Sequence, residues 1–80
     1  MNDMSKPTAR PRYWCGPVAP TCQLCGKALV EAFVDGYSRS IGQWAFLDPA
    51  CHERTGLGLG TGQGQRYDRQ TDGRWMKTAG

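Results

Sequence analysis

The chain has 80 residues, with 10 Lys or Arg against 7 Asp or Glu, one His and 4 Cys. That length allows one small domain, and such a domain buries too little apolar surface to be secure without a metal, disulfides or a partner. A net charge of +3 is modest for a nucleic-acid binder, and no apolar run approaches the roughly 20 residues of a membrane span.

No apolar stretch follows the charged N-terminus, so no secretory leader is expected. The cysteines are then expected in a reducing cytoplasm, where metal binding is a commoner use than disulfide pairing. Charge is unevenly spread. Residues 1–20 carry Lys6, Arg10 and Arg12 against Asp3. Residues 54–80 carry Arg54, Arg66, Arg69, Arg74 and Lys77 against Asp68 and Asp72. The middle is acidic on balance.

Residues 1–20 hold Pro7, Pro11, Pro17 and Pro20 and no apolar period. They read as a flexible basic arm, docking at most through Tyr13 and Trp14. Arg10, Arg12 and Trp14 also compose a nucleic-acid contact, because guanidinium groups neutralise phosphate and rings stack on bases. The alternative is a solvated tail with one hydrophobic anchor.

Residues 21–80 read as a single metal-binding domain. Cys22-Gln-Leu-Cys25-Gly26 has the form of a zinc knuckle, two thiolates converging from a tight turn that a glycine completes. Lys27 to Asp35 alternates as a half-buried strand, Asp35-Gly36 is a turn signal, and Ile41 to Leu47 reads as the returning strand with a bulge at Gly42. Val30, Phe33, Trp44 and Phe46 are the expected core. Asp48-Pro49 opens a short helix that stops at Gly56. Knuckle, hairpin and helix make a small metal-stabilised α+β domain, treble-clef-like, or zinc-ribbon-like if the helix is absent.

The expected ligand set is Cys22, Cys25, Cys51 and Asp48 around one structural zinc ion. Asp48-Pro-Ala-Cys51 repeats the two-residue gap with a carboxylate in the first position, and carboxylate oxygen is an accepted zinc ligand. His52 and Cys15 are the alternatives for the fourth place. Asp48 also fits a helix N-cap with no metal role.

Gly56 to Gly64 has glycine at every second position, but it matches neither a Walker A loop nor G-x-G-x-x-G. It reads as an extended segment laid over the core through Leu57 and Leu59, with close approach to an anion as the alternative. Arg66 to Gln70 and Arg74 to Lys77 then flank Thr71-Asp72-Gly73 as a hairpin. Tyr67 and Trp75 can meet across it. Arg66, Tyr67, Arg69, Arg74, Trp75 and Lys77 form the best nucleic-acid candidate in the chain. The bland reading is solvated charge around a structural Tyr–Trp pair.

From Cys22 to Gly80, the run Cys-x-x-Cys-Gly-Lys, Phe-Val-Asp-Gly, Gly-Gln-Trp-Ala-Phe, Asp-Pro-Ala-Cys-His, Gly-Leu-Gly-Leu-Gly-Thr-Gly-Gln-Gly-Gln-Arg-Tyr and Asp-Gly-Arg-Trp-Met-Lys resembles small zinc-binding proteins of tailed phages and prophages. Cys22, Cys25 and Cys51 match the metal ligands of that pattern, whose usual Cys-Pro-x-Cys-His is broken here by Asp48. The resemblance implies a zinc ion and the cytoplasm of an infected or lysogenic bacterium. It implies no activity, since most of the family has none assigned.

Catalysis is not expected. There is one His, no H-E-x-x-H and no H-x-E paired with P-C-x-x-C. An enzyme would need three thiolates plus water on the metal, with Glu53 or His52 as base. The leading expectation is an accessory protein that binds and modulates a host protein. A DNA- or RNA-binding zinc finger is the alternative. Neither a membrane nor a small-molecule substrate is expected.

Overall fold

The computed structural model describes residues 10–80. Its spine is strand β1 (Ala32–Ser38). β1 pairs antiparallel with β2 (Gln43–Leu47) on one side and with β3 (Gly64–Arg69) on the other. β4 (Trp75–Ala79) pairs with β3, giving one four-stranded sheet in the order β2-β1-β3-β4. Helix α1 (Pro49–Thr55) is the sole helix among the described residues and packs on β1 and β2. The domain is thus small and α+β.

The two faces of β1 follow from its alternation. Val34, Gly36 and Ser38 point toward α1, where the Ser38 hydroxyl lies 2.9 Å from that of Thr55. Phe33, Asp35 and Tyr37 point the other way. Phe33 is fully buried there in an aromatic layer. Tyr67 stacks on it at 5.1 Å, Trp75 meets it edge-on at 5.0 Å, and Trp14 sets its edge against Phe33, Phe46 and Tyr67 at 5.5, 5.3 and 5.4 Å. Such edge and offset contacts suit the ring quadrupoles.

Trp14 reaches this layer because the chain around it joins the sheet. Trp14 N–H donates to Trp75 O at 2.9 Å and Lys77 N–H to Arg12 O at 2.7 Å. The segment expected as a flexible arm is therefore paired along the outer edge of β4 from Arg12 to Trp14, and the backbone groups of that edge are satisfied. Further along the expected arm, Leu29 N–H donates to Pro20 O at 3.0 Å; the part over residues 1–9 lies outside the described residues.

Three other expectations need correction. Asp35-Gly36 is no turn. The strand begins at Ala32 and runs through both residues to Ser38. Chain reversal occurs at residues 39–42, where Gly42 takes φ +82° and donates to Ser38 O at 2.7 Å. Gly36 serves close approach instead, as the next section shows. Val30 and Trp44 are 56% and 43% exposed, so neither belongs to the core. Leu57 and Leu59 are exposed as well; the glycine-rich segment is held by its backbone, with Gly60 N–H on Gly64 O at 2.8 Å and the Gln65 amide on Gly60 O at 2.8 Å. The C-terminal hairpin forms as part of the larger sheet. Its turn forms as expected, with Gly73 at φ +89°, but β3 also pairs with β1.

Candidate metal centre

Each half of the site is shaped locally and then tied to the other. In the knuckle, Cys22 N–H donates to Lys27 O at 2.7 Å and Gly26 N–H to Cys22 O at 2.9 Å, with Gly26 at φ +82°. This closes the turn that aims both sulfurs to one side. At the helix, Asp48 is the N-cap and Pro49 opens the first turn. Gln23 joins the halves. Its N–H donates to Phe46 O at 2.9 Å, and its side-chain oxygen accepts Phe46 N–H at 2.7 Å. Knuckle and helix start are thereby held together two residues before Asp48.

The outcome is a cluster. One ligand atom from each of Cys22, Cys25, Asp48 and Cys51 lies within 4.8 Å of all the others. Tetrahedral zinc–thiolate bonds of about 2.3 Å would set sulfurs a little under 4 Å apart, so a small contraction closes the four donors on one metal ion. Cys22, Cys51 and Asp48 are buried, while Cys25 is exposed.

Asp48 serves both readings proposed for it. Oδ1 accepts the Cys51 N–H at 2.8 Å, which is the cap. Oδ2 faces Cys25 Sγ at 3.0 Å, which is the ligand position. The protonation pattern follows from these contacts. Burial alone would raise the Asp48 carboxyl, but hydrogen bonds from Cys25 and Cys51 outweigh it and hold the group at about 2. Cys51 is pushed up to about 12 by burial, then by the neighbouring Cys25 and Cys22 sulfurs. Cys25 is raised chiefly because it donates to Asp48. For Cys22 burial is again the largest influence and acts upward, yet hydrogen bonds around the knuckle prevail and lower it. A divalent cation would displace the thiol protons and occupy the space they share.

One contributor escaped the sequence reading. Arg54 Nη2 lies 3.2 Å from Cys51 Sγ and offsets the negative charge of the cluster. Its i+3 spacing from Cys51 on a helix is the signal that could have found it.

The alternatives for the fourth ligand lie elsewhere. Cys15 is exposed, with its sulfur near Tyr13 O. His52 is 4% exposed but turned away from the cluster, since adjacent helical residues diverge by about 100°. Its ring rests on three glycines. A Cβ at Gly36, Gly56 or Gly64 would come within 2.8, 2.5 or 2.7 Å of ring atoms. This is why Gly36 stands in mid-strand and why Gly56, at φ −89°, is glycine without a left-handed turn. His52 Nε2 is buried with no hydrogen-bond partner among the described residues.

The expected nucleic-acid residues are largely engaged. Arg66 pairs with Asp68 at 3.1 Å, and Arg74 pairs with Asp72 at 2.9 Å while stacking over Tyr13 at 3.9 Å. Arg69 leans over Trp75 at 5.9 Å. Trp14, Tyr67 and Trp75 sit in the aromatic layer. Arg10, Arg12 and Lys77 line one shallow depression at the chain ends. No helix among the described residues is long and apolar enough to cross a membrane. No protein-family model matches the chain, nor does any curated protein or solved structure.

Proposed function

We propose that the protein is a zinc-stapled interaction module that binds and modulates another protein, in keeping with an accessory protein of a tailed phage acting in the host cytoplasm. The observation that carries the reading is the four-donor cluster of Cys22, Cys25, Asp48 and Cys51. Four protein ligands fill a tetrahedral zinc ion and leave no position for a reacting water, which is the character of a structural site. We read the knuckle, the β1–β2 hairpin and α1 as a treble-clef arrangement, with zinc supplementing the small core that so short a chain can build.

A second reading, nucleic-acid binding through the C-terminal hairpin and the residues around Arg12, keeps some support from the clustering of Arg10, Arg12 and Lys77. It ranks lower because the neighbouring rings are packed inward and two of the arginines are ion-paired.

Native mass spectrometry with and without a strong chelator tests the zinc. One ion per chain, lost on Cys22→Ser and kept on His52→Ala and Cys15→Ala, is the expected result. Capture of a specific protein from bacterial lysate should then survive nuclease treatment. Capture that disappears with nuclease, or direct binding to DNA that weakens steeply with salt, would favour the second reading.

A further inference from the structure

The face of the sheet opposite α1 is covered unevenly. Trp14 and Trp75 close the end around Phe33. Beside them the same face carries Asp35 on β1, with Phe46, itself against the edge of Trp14, directly across on β2 and Gln65, its amide held by Gly60 O, directly across on β3. The next pair along is Tyr37 with Trp44, the latter 43% exposed. Tyr67 is diagonal to Asp35 and feels its charge, which adds to burial in raising the phenol, while Arg12 opposes it without forming an ion pair to Asp35. Directly opposed side chains on a sheet lie about 5 Å apart and diagonal ones about 7–8 Å. Asp35 is therefore ringed by aromatic groups.

Its charge is not answered. No cation of the described residues forms an ion pair with Asp35. Its carboxyl is raised by burial, with no compensating hydrogen bond or charge. A partly desolvated carboxylate among rings, with no ion pair to any described cation, is a costly arrangement. What would satisfy it is a cation that meets the carboxylate and lies against ring faces at once.

We propose that this open face, centred on Asp35 and bordered by Tyr37, Trp44, Phe46, Gln65 and Tyr67, is the docking surface for a partner protein and takes an arginine or lysine side chain of that partner. The proposal rests on the protein-binding reading above and gives it a surface and a chemistry. Charge complementarity decides the occupant. A neutral or acidic partner would bury Asp35 further and return nothing, whereas a guanidinium supplies paired donors and a planar face for Trp44 or Tyr37. Sheet side chains stand as a flat carpet rather than a deep cavity, which suits a side chain presented from another protein's surface.

The test is an NMR titration of the full-length, zinc-loaded chain. The probes are N-acetyl-arginine N-methylamide and its uncharged citrulline counterpart. The expected result is saturable movement of the Trp44 indole and Gln65 side-chain amide signals with the arginine probe. The citrulline probe should bind at least about five-fold more weakly, the ratio expected for one partly desolvated ion pair. Asp35→Asn, nearly isosteric, should erase the difference between the probes while leaving signals of α1 and the knuckle unmoved. Trp44→Ala, on an exposed position, should weaken the arginine probe without unfolding the sheet. Equal response to both probes, or movement confined to other faces, would overturn the proposal. Arginine selectivity with no nuclease-resistant partner in lysate would leave the surface standing and count against the protein-binding function instead. The reverse pattern, a captured partner whose binding ignores Asp35→Asn, would do the opposite.

Discussion

The Asp48 carboxylate lies 3.0 Å from the Cys25 sulfur across 23 positions of chain, while its other oxygen caps helix α1. One side chain thus starts the helix and completes the four-donor cluster that could hold a metal ion. The two roles separate by substitution. Asp48→Asn keeps an oxygen for the cap and loses the anionic ligand. Asp48→Ala loses both. Zinc affinity, read by competition with a chromophoric chelator, should fall at least about ten-fold in each, by analogy with lost supporting groups at metal sites. Metal-free stability should fall in both variants, by about 1 kcal/mol more in the alanine variant, which also loses the cap. Asp48→Cys should bind zinc at least as tightly as the natural chain.

Zinc binding should release protons. Cys51, pushed up to about 12, and Cys25, also raised, are thiols at neutral pH in the metal-free protein. All three thiols must be ionised to ligate, so calorimetry in buffers of differing ionisation enthalpy should report about two to three protons released per zinc, two of them from Cys51 and Cys25. Affinity should rise with pH and fall on acidification. Release of no protons would mean that the thiols do not ligate.

The metal-free protein has its own acid dependence. The folded-state value for Asp48 is about 2 against an ordinary value of 3.8, so it is lowered on folding. The stability it contributes, roughly 2 kcal/mol, is present above about pH 4 and is lost as pH falls through about 2. Denaturation of the apo-protein at pH 5 and pH 2 should show this loss, and Asp48→Ala should reduce it.

His52 and Gly36 should be energetically coupled. A Cβ at Gly36 would lie 2.8 Å from the His52 ring, so Gly36→Ala should destabilise by about 1–3 kcal/mol through overpacking. Removing the ring first makes room. In His52→Ala, the added cost of Gly36→Ala should shrink by at least about 1 kcal/mol in a double-mutant cycle. Zinc content should be unchanged in all three variants, since His52 points away from the cluster.

Trp14 should matter as a core residue does. It sets its ring against Phe33, Phe46 and Tyr67, and its backbone pairs with Trp75. Trp14→Ala should cost about 3–5 kcal/mol in chemical denaturation of the zinc-loaded protein. A cost under about 0.5 kcal/mol, typical of exposed sites, would return this segment to the status of a loose arm.

What the sequence determined by itself was local. Cys-x-x-Cys-Gly, Asp-Pro at the start of a short helical run, and Asp-Gly between two alternating stretches each act over a few residues. The knuckle, the helix start at Pro49 and the turn at Gly73 all formed where that chemistry put them. The Cys-x-x-Cys spacing and its echo at Asp48–Cys51 marked four candidate donors in the sequence, but the choice of Asp48 over His52 and Cys15 for the cluster came only from the fold.

Only the tertiary structure decided which distant pieces meet. β1 joined the two hairpins into one sheet because its two backbone edges were both free and β3 lay within reach after the glycine-rich segment. Gly36 signals a turn when read with its neighbours. Against His52, 16 positions away, it is instead the one residue without a side chain to collide with the ring. Trp14, among prolines, has no periodicity to mark it as core, and becomes core only when Phe33, Phe46 and Tyr67 assemble beneath it. Turn chemistry is a property of residues three or four apart. Burial is a property of whatever the fold brings alongside, and no local pattern encodes it.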